Sequence, residues 1–113
     1  MKNQKNITTI ILLAAALLTQ SATAKTPAVL LQEALYAEET EGNLEKAIEI
    51  YEEVLDEASQ IQRIASRATY QLGLCYLKKD QNDQAAKYFQ QVITNFPNRT
   101  IIVKKAKKQL KKN

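Results

Sequence analysis

The sequence predicts an all-α fold of antiparallel helix-turn-helix pairs, and three observations support this prediction. Apolar residues recur three and four positions apart along most of the chain, as they do on one face of an α-helix. The 113 residues include only two Gly and two Pro, so few turns interrupt the helices. A composition of 45% apolar and 25% charged residues is that of one ordinary globular domain.

The first two helices are predicted between residues 27 and 58. Thr26 can cap the first helix, and Pro27 is tolerated in its first turn. Gly42 and Asn43 end this helix near Thr40 and open the second one. The second helix is the clearest amphipathic one, because acidic residues lie opposite its apolar stripe of Leu44, Ala47, Ile48, Tyr51, Val54, Leu55 and Ala58.

Three further helices complete the prediction. The third has an apolar stripe made of Ile61, Ile64, Ala65, Ala68, Leu72, Cys75 and Tyr76. The fourth follows a polar turn at residues 79–82 and is expected to end near Asn95 or Phe96, since Pro97 has no backbone N–H. A fifth helix, capped by Asn98 or Thr100, is expected to end near Lys112.

An offset of 38 residues relates the second helix to the fourth and indicates an internal repeat. The residues paired by this offset are Ala47 with Ala85, Tyr51 with Phe89, and Val54 with Val92. Repeat arrays bury their apolar faces only against neighbouring units, and short arrays are therefore weakly stable. We expect that a second copy of the chain, or a bound partner, stabilises this short repeat array.

The stretch from Thr69 to Pro97 resembles the tetratricopeptide repeat, whose pattern is W-x2-L-G-x2-Y, then A-x3-F, then P. Thr69 stands in the Trp position, and the remaining pattern positions hold Leu72, Gly73, Tyr76, Ala85, Phe89 and Pro97. The resemblance covers nearly all of residues 29–110. It implies about two repeats, of which the first is degenerate, followed by a C-terminal capping helix. The family period is usually 34 residues, so about four extra residues are expected around residues 57–63.

The small residues of this pattern suggest how the helices pack. Gly73 and Ala85 allow two helices to approach closely, and the rings of Tyr76 and Phe89 can fill the space beside them. The full set of residues predicted to pack the repeats is Ala47, Tyr51, Leu72, Gly73, Tyr76, Ala85, Phe89 and Pro97.

Composition argues against an enzyme. The absence of His removes the commonest general base and the commonest metal ligand. The single Cys, Cys75, shares a stripe with Leu72 and Tyr76 and is expected to be a buried apolar residue. The carboxylates are predicted to lie on the solvated faces of the first two helices. No catalytic residue, cofactor or metal site is predicted.

The N-terminus has the layout of a secretory signal peptide. Lys2 and Lys5 precede an apolar run over residues 7–18, and Ala22 and Ala24 are small residues at the positions that determine cleavage. The prediction is cleavage after Ala24, which leaves an exported helical repeat domain at residues 25–113. An uncleaved membrane anchor is the alternative, although the apolar run is shorter than the roughly 20 residues that span a bilayer.

Charge is distributed unevenly along the chain. Residues 25–57 hold ten acidic side chains and two basic ones, whereas residues 58–113 hold twelve basic and two acidic ones. The last helix concentrates the positive charge in Lys104, Lys105, Lys107, Lys108, Lys111 and Lys112. Three interpretations stay open for this helix: a soluble cap on the repeats, a binding site for an anionic lipid surface, and, least favoured, nucleic acid.

The resemblance also implies a concave groove lined by the first helix of each pair. The residues predicted to line it are Gln32, Tyr36, Arg67, Tyr70, Leu74, Lys78, Lys104 and Lys108. Such a lining suits an acidic segment or a C-terminal carboxylate that also has an apolar side chain, because Arg and Lys would meet the charge.

The function predicted from these features is that of a non-catalytic protein- or peptide-binding or scaffolding module of the bacterial cell envelope. Its expected partner is another protein or peptide, with acidic partners and a second copy of the chain both among the candidates. The alternative function is binding to an anionic surface, either lipid or acidic polymer, through the lysine-rich helix, with peripheral membrane contact.

Overall fold

A computed structural model describes residues 24–112, and these residues form five α-helices and no β-strand. The helices are α1 (Pro27–Glu39), α2 (Leu44–Glu57), α3 (Gln62–Lys78), α4 (Asn82–Asn95) and α5 (Thr100–Lys112). The predicted all-α fold of helix-turn-helix pairs is confirmed. The predicted signal peptide, apart from Ala24, lies outside the described residues.

The predicted caps of the first helix pair are present. The Thr26 hydroxyl accepts a hydrogen bond from the backbone N–H of Val29 at 3.3 Å, and Pro27 is the first residue of α1. Gly42 then reverses the chain at φ +66°, a value that L-residues rarely adopt. The Asn43 side chain accepts from the N–H of Lys46 at 3.1 Å and begins α2. Local sequence alone therefore places this turn.

The later boundaries agree with the sequence, with two corrections. Helix α4 ends at Asn95, as predicted from Pro97, and the backbone N–H of Phe96 caps it by donating to the Val92 carbonyl. Thr100 is the first residue of α5, so it lies inside the helix and does not precede it as a cap. Ile61 precedes α3 and is 43% exposed, so its place in the apolar stripe was predicted wrongly.

The core consists of two clusters that share α3. The first packs α1 and α2 against α3, and the second packs α3 against α4 and α5. The predicted packing residues that are fully buried are Ala47, Tyr51, Leu72, Ala85 and Phe89. Tyr76 is half-buried and touches both clusters, whereas Pro97 is exposed. Pro97 therefore acts through the backbone, where it ends α4, and contributes no burial.

Gly73, on α3, lies directly against the Phe89 ring of α4. A Cβ at this position would come within 2.5 Å of the Phe89 ring, closer than any side chain could be accommodated without movement. Phe89 is fully buried, and its ring centroid lies 5.5 Å from that of Tyr70. The predicted pairing of a small residue on α3 with a large one on α4 is thus present in the second cluster.

The extra residues of the 38-residue repeat lie at the start of α3. This helix has 17 residues, whereas α1 has 13. When the two helices are aligned at their C-terminal ends, the four additional residues of α3 are at positions 62–65, which overlap the end of the predicted stretch 57–63. Within the part of the chain that the structure describes, no helix combines the length and the apolar character needed to cross a bilayer.

Candidate functional site

The two helix pairs are joined by a buried carboxylate that the sequence did not predict. Glu38, on α1, has a side chain only 1% exposed. Its Oε1 accepts hydrogen bonds from the Tyr51 hydroxyl at 2.6 Å and from Gln71 Nε2 at 2.9 Å. Its Oε2 accepts from Lys78 Nζ at 2.7 Å. The expectation that all carboxylates of the first two helices are solvated is therefore wrong for Glu38.

This network gives Lys78 a different role from the one predicted from the sequence. The sequence places Lys78 in the binding groove, but its ammonium group is paired with Glu38, although half of the side chain is exposed. A buried carboxylate needs a partner for its charge and donors for its lone pairs, and α2 and α3 together supply both. The contribution of Lys78 is therefore to join the first helix pair to the second.

A basic groove lies between α3 and the start of α5. It has a volume of about 540 Å³, and the predicted groove residues Arg67 and Tyr70 both line it. Its remaining lining residues are Arg63, Ser66, Gln71, Asn98, Arg99, Thr100, Ile101, Ile102 and Lys105. No carboxylate is among them. We refer to this concavity as the basic groove.

The four cations of the basic groove are Arg63, Arg67, Arg99 and Lys105. Among residues 24–112, none of them forms a salt bridge with a carboxylate. Two of them come from α3, Lys105 comes from α5, and Arg99 comes from the loop before it. The fold therefore gathers four like charges at one surface and leaves them available to an anion.

Tyr70 and Leu74 are less accessible than the predicted groove requires. Tyr70 is 9% exposed, because its ring packs against Phe89 and the apolar face of α5 covers it. Its hydroxyl accepts a hydrogen bond of 3.4 Å from Gln109 Nε2. Leu74 is half-buried in the same cluster. Both residues belong to the cluster that holds α5 in place, and Tyr70 also lines the groove.

The predicted groove residues of α1 lie in a different concavity. Gln32 and Tyr36 line a recess of about 760 Å³ on the outer face of this helix, together with Val29. Tyr36 is 58% exposed and Val29 is 47% exposed. The ionic groups at its edge are paired, Lys25 with Glu33 and Lys46 with Glu41. This recess offers apolar surface without net charge, in contrast to the basic groove.

The lysines of α5 lie on its outer face. Lys104 and Lys108 were predicted to line the groove, but both are exposed and neither lines the basic groove or the α1 recess. The apolar residues of α5 face inward, as the sequence predicts: Val103 and Ala106 are buried, and Ile102 and Leu110 pack beside them.

Comparison with protein families identifies the repeat. Residues 29–60 match one family model, residues 67–99 match another, and both models are described as "Tetratricopeptide repeat". Together the matches cover more than half of the chain. The chain belongs to the tetratricopeptide repeat family. The comparisons with curated proteins and with solved structures gave no match.

The two tetratricopeptide repeats begin 38 residues apart, at positions 29 and 67, which confirms the predicted offset. Repeats of this family generally mediate interactions between proteins or act as scaffolds. In this chain the basic groove adjoins the second repeat, and α5 follows it as a single additional helix.

The sequence analysis missed several residues that line the recess on α1 and the basic groove. On α1 it omitted Val29, which lies one turn from Gln32. On the basic groove it omitted Arg63, Arg99, Ile101 and Lys105. Arg63 and Ile101 are each one α-helical turn from a predicted groove residue, Arg67 and Lys104 respectively, so helical spacing could have found them. Arg99 precedes α5 in a loop, and only the tertiary arrangement brings it to α3.

The free thiol of the tetratricopeptide domain lies in the first core cluster. Cys75 is fully buried, and burial raises the pKa of its thiol to about 12. Burial likewise raises the pKa of the Tyr51 phenol, and the hydrogen bond to the Glu38 carboxylate raises it further. Within residues 24–112, no group of three or more His, Cys, Asp or Glu side chains could hold a metal ion.

Proposed function

We propose that this tetratricopeptide repeat protein binds an acidic segment of a partner protein in the basic groove. The observation that supports this proposal most directly is the set of four unpaired cations, Arg63, Arg67, Arg99 and Lys105, around one concavity without a carboxylate. Guanidinium groups bind carboxylates through two parallel hydrogen bonds, so three Arg side chains favour Asp, Glu or a C-terminal carboxylate.

The groove also offers apolar surface to such a segment. Ile101 lies beside the cations and is 75% exposed, the largest exposed fraction among the large apolar side chains of residues 24–112. An acidic segment with one apolar side chain would cover Ile101 while its carboxylates meet the arginines. Ile101 would thus provide the apolar contact that the sequence assigned to Tyr70 and Leu74, because those two residues pack inside the domain.

The supporting elements suit a preformed site. Arg63 and Arg67 are one turn apart on α3, which is held in both core clusters. Lys105 lies on α5, which packs on α4 through Val103 and Ala106. Because these helices are already packed in the core, their backbone loses little conformational entropy when a flexible segment binds. This favours higher affinity.

The proposed role is that of a non-catalytic binding or scaffolding module exported to the bacterial cell envelope. The support for export comes from sequence: the basic residues Lys2 and Lys5, the apolar run at residues 7–18, and the Ala22-Thr23-Ala24 site. The support for a binding role comes from the family and from the basic groove.

A peptide array tests this proposal. The probe is a set of immobilised eight-residue peptides whose content of Asp, Glu and apolar residues is varied, and the protein is purified from cells that express the full chain. Retained peptides are expected to be enriched in acidic residues with at least one apolar neighbour. Equal retention of acidic and neutral peptides would contradict the proposal.

Two variants with the same change in charge locate the site. Arg67→Glu with Arg99→Glu reverses two charges of the basic groove, and Lys104→Glu with Lys108→Glu reverses two charges outside it. The first variant is expected to lose the acidic preference and the second to keep it. The opposite outcome would move the binding surface to the outer face of α5.

Binding of α5 to an anionic surface is the alternative function, and the six exposed lysines of this helix favour it. Its exposed face has no Trp or Phe to enter the headgroup region, and Ile101 lies at the basic groove instead. Co-sedimentation with vesicles that contain anionic lipid tests it. Steep loss of binding with added salt, and loss in the Lys104→Glu, Lys108→Glu variant, is the expected result of this alternative.

A further inference from the structure

Two helix faces carry opposite charges that, among residues 24–112, are not paired in salt bridges. The outer face of α2 presents Glu49, Glu52, Glu53 and Asp56, and we call it the acidic face. The outer face of α5 presents Lys104, Lys108 and Lys111, and we call it the lysine face. Among the described residues, none of these seven side chains forms a salt bridge.

Each face contains like charges that repel one another. Glu49 and Glu53 are four residues apart on α2, as are Lys104 and Lys108 on α5, and like charges at this spacing destabilise a helix. The two faces cannot relieve each other within one chain, because α2 and α5 make no contact and α3 and α4 lie between them. A surface of opposite charge from outside the chain would relieve both.

The two faces also match in spacing. On α2 the charges Glu49, Glu53 and Asp56 are separated by four residues and then three. On α5 the charges Lys104, Lys108 and Lys111 are separated in the same way. Each set extends over about 10 Å of helix, so two helices laid side by side can bring three pairs of opposite charges together.

From this complementarity we propose that the partner of the lysine face is a second copy of the chain, which docks through its acidic face. The contact joins different surfaces of the two copies, so every pair leaves one lysine face and one acidic face free. Such head-to-tail association continues with further copies unless a ring closes. The contact uses no residue that lines the basic groove. Self-association and binding of an acidic segment therefore take place on different surfaces of the domain.

Sedimentation velocity across a range of concentrations tests the proposal, with protein purified from cells that express the full chain. At low salt, about 0.05 M, the mean mass is expected to rise with concentration to at least twice that of one chain, and at about 0.5 M salt it is expected to fall to one chain, because salt screens exposed charges. A mass of one chain at every concentration in low salt would overturn the proposal.

Charge-reversed variants make the test specific. The lysine-face variant, Lys104→Glu with Lys108→Glu, and the acidic-face variant, Glu49→Lys with Glu53→Lys, are each expected to remain single chains. When the two variants are mixed, every contact again joins opposite charges, and the mass is expected to rise as for the unmodified protein. Failure of the mixture to associate would overturn the proposal.

Two further measurements separate this contact from other uses of the same surfaces. The basic-groove variant, Arg67→Glu with Arg99→Glu, is expected to associate like the unmodified protein, so loss of peptide binding and loss of self-association are distinguishable. Unmodified protein that binds vesicles containing anionic lipid but stays a single chain at low salt would assign the lysine face to a membrane and overturn the proposal.

Discussion

Lys78 Nζ lies 2.7 Å from Glu38 Oε2, and this contact connects α3 of the second repeat to α1 of the first. The same carboxylate accepts hydrogen bonds from Tyr51 on α2 and from Gln71 on α3. One side chain thus binds all three helices of the first core cluster. Removal of the Glu38 carboxylate should therefore destabilise the contact between the two repeats more than removal of an exposed carboxylate does.

The substitution Glu38→Ala is expected to lower the free energy of unfolding by about 2–4 kcal/mol, because the Tyr51 hydroxyl and the Gln71 amide would lose their buried acceptor. Glu38→Gln keeps one acceptor oxygen and should cost less. The neighbouring Glu39 is exposed and unpaired among the described residues, so Glu39→Ala is the control and should change stability by less than about 0.5 kcal/mol. Chemical denaturation followed by circular dichroism measures all three. Equal effects of Glu38→Ala and Glu39→Ala would contradict the structural role of the network.

The substitution Gly73→Ala is expected to destabilise the domain by about 1–3 kcal/mol, although Ala is the better helix former by about 1 kcal/mol. The added Cβ would meet the Phe89 ring at 2.5 Å. A double-mutant cycle with Phe89→Leu isolates this contact, because the smaller side chain makes room for the methyl group. The double variant should lose less stability than the two single variants together. If the stability losses of the two single variants simply add, the contact between position 73 and the Phe89 ring is not the cause of the destabilisation.

Stability is expected to fall in alkaline solution. Burial raises the pKa of Cys75 to about 12, so the unfolded chain releases this proton at a lower pH than the native one. Above about pH 9 the unfolded state therefore binds fewer protons, and the free energy of unfolding should fall by up to about 1.4 kcal/mol per pH unit for this group. Tyr51, whose pKa is also raised, should add to the loss at higher pH.

Denaturant titrations between pH 7 and pH 11 measure this dependence, and Cys75→Ala is the control. Replacement by Ala removes the thiol, so the decrease that begins near pH 9 should become smaller. A decrease of unchanged size in Cys75→Ala would assign it to other groups.

Protein recovered from bacteria that express the full chain is expected to begin at Lys25. The small residues Ala22 and Ala24 stand at the positions that signal peptidases require, so cleavage should follow Ala24. Intact-mass spectrometry measures the product, and a variant with Ala22→Glu and Ala24→Glu should retain its N-terminus. An uncleaved wild-type chain in the membrane fraction would favour the anchor instead.

Much of the fold could be predicted because the determining features are local. The turn at Gly42, the end of α4 before Pro97 and the inward stripe of α5 all follow from spacing and from residues with special backbone properties. The packing of Gly73 against Phe89 follows from the family pattern. Each of these features depends on residues that lie close together in sequence or repeat at a constant offset.

The misses involve contacts between distant residues. Glu38 stands in the first repeat where the second has Tyr76, and nothing in its neighbourhood predicts burial. Its donors Gln71 and Lys78 lie 33 and 40 residues further along the chain. The basic groove likewise joins α3 to a loop 32 residues after Arg67, the loop of Arg99. Helical periodicity describes one helix at a time and therefore cannot assemble either site.

The most direct test of the proposed function is the affinity of a labelled acidic peptide, taken from the array, for three proteins measured by fluorescence anisotropy. These are the unmodified protein, the Arg67→Glu, Arg99→Glu variant and the Lys104→Glu, Lys108→Glu variant. The first variant is expected to bind at least about tenfold more weakly, a loss of about 1.4 kcal/mol or more, and the second to bind within about twofold of the unmodified protein. If the two variants weaken binding equally, or only the second does, the basic groove is not the binding site.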